Sequence, residues 1–206
     1  MQVLIDALLN STGLEVAAVI LAISYLLLAI RQNILCWVAA LISSALYCFI
    51  FFSVGLYMES LLQIFYLAMA VYGWISWKGY RQSEGKNLEI TSLSVRKNFV
   101  IILFIAFLTS VSGFSLDNDP TLDYLDAFTT WGAIIATFMV AKKILENWLY
   151  WIVIDAAAIY LYLEKGLYLT ALLFAAYILI ALAGYIAWCR DHRLRGAAQQ
   201  QFFNTT

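Results

Sequence analysis

Three side chains between Glu146 and Asp155 have the types and spacing to recognise a small molecule. Trp148, Trp151 and Asp155 stand at i, i+3 and i+7, which places two indoles and a carboxylate on one helical face. The surrounding residues are among the most apolar in the chain. An acid in the middle of a membrane helix costs about 3 kcal/mol or more if it faces lipid, so it faces a cavity or a partner. Asp155 lies about 12 Å into its helix at 1.5 Å per residue. Two π-faces beside an anion suit a flat, positively charged heterocycle. Plainer roles exist for each: an interfacial belt for Trp148, and a hydrogen-bonding link between helices for Asp155.

A second set of polar groups sits earlier, inside other apolar runs. Gln63 and Tyr66 are three residues apart, and Tyr47 belongs to the preceding run. Gln63 either ties neighbouring helices together or reads the polar edge of a substrate. No other chemistry presents itself. The sequence has no Gly-rich phosphate loop, no His/Cys metal cluster, no nucleophile–base pair and no basic nucleic-acid patch. No cofactor, metal or nucleic-acid partner is therefore expected. Cys36, Cys48 and Cys189 read as small apolar residues, and the single histidine, His192, falls in a charged tail. A seven-span membrane enzyme would lack a second catalytic group near Asp155. A receptor would have only the segment 78–97 to offer a partner.

The elements that must carry these residues follow from composition. Of 206 residues, 64% are hydrophobic, 12% are charged and one is proline. A soluble domain has about a quarter of its residues charged. The apolar residues fall in runs long enough to cross a hydrocarbon core of about 30 Å. The chain thus reads as an all-α integral membrane protein with the lipid bilayer as its main partner. Residues 1–13 form a short lead without a cleavable-signal pattern. Helices 1–3 span 14–77, a basic loop covers 78–97, and a single helix spans 98–115. Helices 5–7 span 126–188, and 189–206 form a tail. Eleven of the twelve lysines and arginines fall on one side of this arrangement, leaving only Lys165 on the other. That asymmetry predicts the N-terminus outside and the C-terminus in the cytoplasm.

The chain also repeats itself. A shift of 111 residues, without a gap, carries Gly55-Leu56-Tyr57 onto Gly166-Leu167-Tyr168, and Leu61, Leu62 and Tyr66 onto Leu172, Leu173 and Tyr177. It also carries Trp37 onto Trp148, Gly73 onto Gly184, and Trp77 onto Trp188. One helix between two three-helix repeats makes the repeats parallel, a 3+1+3 plan. Transporters built from such repeats bind their substrate near the midplane, between the repeats. The repeats differ where binding would require it: Trp151 replaces Ala40, Asp155 replaces Ser44, and Asn147 replaces Cys36.

With these residues in view, the chain resembles the PnuC family of bacterial vitamin transporters. The likeness runs from Leu56-Tyr57 through Leu61-Leu62-Gln63 to Tyr72-Gly73-Trp74 and Trp77. It continues with Lys142-Lys143 and Glu146-Asn147-Trp148-Leu149-Tyr150-Trp151, and ends with Gly166-Leu167-Tyr168 through Gly184 and Trp188. The resemblance implies a seven-helix 3+1+3 bundle similar to a full-length SWEET, assembling as a homotrimer in the inner membrane. It implies facilitated uptake of nicotinamide riboside, trapped inside by a cytoplasmic kinase. Trp148 and Trp151 match the family's indoles that contact the nicotinamide end. Asp155 and Ala70 stand where the riboside carriers have asparagine. Asparagine both donates to and accepts from a carboxamide, whereas ionised aspartate only accepts. Asp155 therefore also fits thiamine, which carries a ring cation and an amine donor and is taken up by other members. The implied site comprises Trp148, Trp151, Asp155, Gln63, Tyr66 and Tyr47.

Overall fold

The computed structural model describes residues 13–53, 57–84, 88–113, 120–164 and 168–205. Seven helices account for nearly all of them: α1 Gly13–Ile30, α2 Cys36–Ser53, α3 Tyr57–Glu84, α4 Val95–Ser112, α5 Pro120–Ala141, α6 Asn147–Glu164 and α7 Tyr168–Thr205. Six of them contain a stretch long and apolar enough to cross a membrane. The exception is α6, which is long enough at 18 residues but is made less apolar by Asn147, Asp155 and Glu164. The helix that carries the Trp–Trp–Asp face is thus less apolar than expected from its sequence, because these polar residues offset its aliphatic ones.

Helix and expected span differ most at three ends. α3 runs past residue 77 to Glu84, and α7 continues to Thr205, because a helix does not have to end where the apolar residues do. α5 begins at Pro120, six residues before the expected span. Proline suits a first helical position, since its missing N–H would have no intrahelical acceptor there. The lead up to residue 12, Gly55, Leu56, Lys165, Gly166 and Leu167 lie outside the described residues.

The chain divides into two compact units, residues 1–88 with α1–α3 and residues 89–206 with α4–α7. The linker helix α4 is therefore grouped with the second three-helix set. It is fastened to α5, where Trp131 Nε1 donates to Ser112 Oγ at 2.8 Å. Just beyond, a Cβ on Gly113 would come within 2.4 Å of the Tyr124 ring, so only glycine allows the α4 end to approach so closely. α4 otherwise presents apolar side chains outward, with Phe99, Phe104, Phe107 and Val111 all exposed. Such a surface is matched to lipid or to another protein.

The two units share a local architecture. α1 and α5 each end in a Schellman turn whose C′ residue is left-handed, Gln32 at φ 52° and Lys143 at φ 51°. In the first, Asn33 N donates to Leu28 O and Gln32 N to Ala29 O, both at 2.9 Å. In the second, Ile144 N donates to Met139 O and Lys143 N to Val140 O, again at 2.9 Å. The next helix starts almost at once in each case. Behind these turns, Trp37 meets Trp77 at 5.5 Å and 86°, and Trp148 meets Trp188 at 5.4 Å and 90°. Edge-on aromatic packing at this distance is favourable.

Candidate substrate site

α6 positions the candidate residues, and its entry decides their rotation. Asn147, at the start of the helix, is fully buried, and its Nδ2 donates to Ile144 O at 2.6 Å. That bond holds the first turn against the Schellman turn before it. From there the helix carries Trp148, Trp151 and Asp155 up one face.

Trp148 is 1% exposed. It packs where a Cβ on Gly184 would lie 2.7 Å from the indole Cδ2, Cε3 and Cζ3 atoms. Any side chain at 184 would displace the ring, so the α6–α7 contact is a tryptophan set into a glycine notch. The indole is largely committed to this packing. Its Nε1–H nonetheless finds no partner among the described residues. Trp37 is set against Gly73 in the same way, and its Nε1–H is likewise unpaired.

Trp151 is half-buried and keeps surface available one turn further along. Asp155 is 4% exposed, yet it makes no hydrogen bond or ion pair among the described residues. A buried carboxylate without a partner is costly, and native proteins keep one mainly where a ligand, a proton or ordered water completes it. Asn147 adds a second such group: its Oδ1 is buried and accepts nothing among the described residues. Neighbouring positions on α6 serve packing instead, for Ile154 fills the space that a Cβ on Gly132 would need, 2.9 Å from its Cγ1. Tyr160 is half exposed, while Tyr162 packs on Phe174 at 5.1 Å.

Gln63, Tyr66 and Tyr47 belong to the first unit and are all half-buried. Tyr47 stacks on Phe51 at 5.6 Å, and Tyr66 lies against Phe65 at the same distance. Trp148, Trp151 and Asp155 are brought together by one helix of the second unit.

Comparison with known proteins places this architecture. The family model for the nicotinamide mononucleotide transporter matches residues 12–190. The chain belongs to that family. It is similar to the nicotinamide riboside transporter PnuC of Escherichia coli (strain K12), with 29% identity over 196 residues, covering 82% of each chain. The PnuC of Shigella flexneri is similar to the same extent. Among solved structures, the crystal structure of the vitamin B3 transporter PnuC matches with a TM-score of 0.71 and 22% identity, covering 92% of this chain and 86% of that one. The chain is thus a multi-pass membrane transporter of the PnuC type, with the seven-helix fold expected from its sequence.

The sequence pattern did not single out Glu146, whose carboxylate accepts from Leu93 N at 3.0 and 3.1 Å and from Ser92 Oγ at 2.5 Å. One signal was available: at the shift of 111 it replaces Leu35, an acid in place of an aliphatic residue. His192, read as part of a charged tail, has its Nδ1 3.0 Å from the Ile90 carbonyl oxygen.

Proposed function

We propose that the protein takes up nicotinamide riboside across the bacterial inner membrane by facilitated diffusion. The observation that carries this reading is Asp155, a buried carboxylate without a partner among the described residues, on the helix that also presents Trp151. A nicotinamide riboside ring is flat, cationic and bears an amide NH₂, so it offers charge and a donor to the acid and a face to the indole. The curated relatives, named for the same solute, support the choice. Gln63, with Tyr66 or Tyr47, supplies the first unit's contacts to the substrate.

The Lys/Arg asymmetry supports an outside N-terminus and a cytoplasmic C-terminus. Assembly is as a homotrimer. Cytoplasmic phosphorylation of the substrate gives uptake its direction, because a facilitator alone only equilibrates. Proteoliposomes test this: labelled riboside accumulates above equilibrium only when its kinase and ATP are enclosed, and accumulation without them sinks the facilitator reading.

Thiamine is the second reading, favoured specifically by an acid where an amide is expected. Tryptophan-fluorescence titration of the purified protein with both vitamins separates the two. A proton is the other group able to complete Asp155. Coupled transport would make equilibration depend on a pH gradient, whereas a facilitator equilibrates without one.

A further inference from the structure

The second unit has a cytoplasmic fastening, in the proposed orientation, that has no counterpart among the described residues of its repeat partner. The strap 90–94, just before α4, lies across the turn that leads into α6. Thr91 N donates to Lys143 O at 3.0 Å, and Leu145 N donates to Thr91 O at 2.8 Å, an isolated parallel bridge. The Glu146 carboxylate then receives the Leu93 N–H on both oxygens and the Ser92 hydroxyl on one. One turn on, the Tyr150 hydroxyl reaches Asn98 O at 3.3 Å and Oδ1 at 3.2 Å, tying α6 to the start of α4. His192 of α7 holds the far end of the strap through Ile90 O.

The repeat provides a built-in control. The counterparts of Glu146 and Tyr150 are Leu35 and Ala39, and Leu35 is 52% exposed. The first unit closes the corresponding turn locally, with Leu35 N donating to Asn33 Oδ1 at 2.9 Å. An acid and a phenol therefore hold a strap only where the following helix also carries Trp151 and Asp155. Glu146 is nine residues from Asp155, and the helix between them is a stiff lever. A small rotation at its entry moves the whole binding face.

We propose that Glu146 is a positioning residue for substrate binding: its carboxylate clamps the strap across the entry of α6 and so fixes the rotation and depth of Trp151 and Asp155. This rests on the site reading above, and Glu146 itself touches no substrate. The strap, α4 and α6 then form one body.

The test uses the full-length protein and three variants. Glu146→Leu copies the first repeat, Glu146→Gln keeps an acceptor, and Leu93→Pro removes the clamped N–H without altering α6. Glu146→Leu is expected to weaken binding of the vitamin that the unaltered protein binds by about tenfold, the range of a charge-assisted hydrogen bond. Glu146→Gln should stay within about threefold because an amide oxygen still accepts. Leu93→Pro, which leaves the Ser92 hydroxyl bond to Glu146, should weaken binding in the same direction but by less than Glu146→Leu, and combining the two should add nothing beyond Glu146→Leu. Amide exchange at residues 148–151 should speed up along with that at Thr91 and Leu145. Unaltered affinity in Glu146→Leu would overturn the proposal, and so would a released strap above an equally protected α6 entry. Should Glu146→Leu fail to fold, Leu93→Pro decides by the same two readouts. If the unaltered protein binds neither vitamin, the substrate reading falls, while the exchange measurement still decides the clamp.

Discussion

The first and second three-helix sets are built to one pattern and diverge in what they do with polar residues. In the first, small hydroxyls and a thiol join helix to helix. Ser43 Oγ donates to Ala18 O at 2.9 Å, Ser60 Oγ donates to Cys48 O at 3.0 Å, and Cys48 Sγ lies 3.3 Å from Ser60 Oγ. Such bonds are the usual glue between membrane helices, where no hydrophobic effect drives association. In the second set the corresponding positions are Ile154, Ala171 and Ile159, and α5 meets α6 through the Gly132 notch. Among the described residues, Asn147 Oδ1 there is buried without a donor, and buried Asp155 makes no hydrogen bond or ion pair. Native proteins keep an unsatisfied buried acceptor mainly where a ligand, a proton or ordered water completes it. On the proposed site, the comparison separates architecture, shared by both sets, from the acid and second indole that only the second set carries.

The largest effect should come from what the sets share. Trp37→Ala and Trp148→Ala each empty a notch filled by a fully buried indole and should destabilise by about 3–5 kcal/mol. Thermal unfolding in detergent reads this, and a marked inequality between the two would break the architectural equivalence. Next comes what they do not share. Asp155→Ser gives the second set the first set's Ser44, and riboside or thiamine affinity should fall about 100-fold, near 3 kcal/mol, with the melting temperature little changed. Retained affinity in a fluorescence titration would remove Asp155 from the site.

Gly184→Ala and Gly73→Ala each force a Cβ into an indole and should cost about 1–3 kcal/mol of stability. Gly184→Ala, which pushes on α6, should also weaken binding more than Gly73→Ala does, so equal binding losses would count against α6 as the main binding element. Trp151→Ala, the exchange toward Ala40, should lower affinity by about 1–2 kcal/mol through a lost cation–π face. Gln63→Ala should have the smallest effect, about 1 kcal/mol for one neutral hydrogen bond, measurable as a shift in Kd.

Much of this was legible in the residues themselves. Hydrophobic runs of membrane length fix the number of helices, because backbone groups in lipid must be satisfied within each segment. Glycine, tryptophan and tyrosine recurring at one offset reveal the repeat, since each fills a geometric role that few other residues can. The i, i+3, i+7 spacing of Trp148, Trp151 and Asp155 needs no tertiary information, as helical periodicity alone aligns them. The division of labour between the two indoles needed the fold. Only packing shows that Trp148 is set into Gly184 and that Trp151 keeps free surface. Glu146 is the clearest case of the same kind. Its partners, Ser92 and Leu93, lie more than fifty residues away, and no periodic pattern encodes a contact made across a turn by a loop. Local periodicity determined which residues share a face; long-range packing decided which of them are wedges, which remain open, and what holds their helix in place.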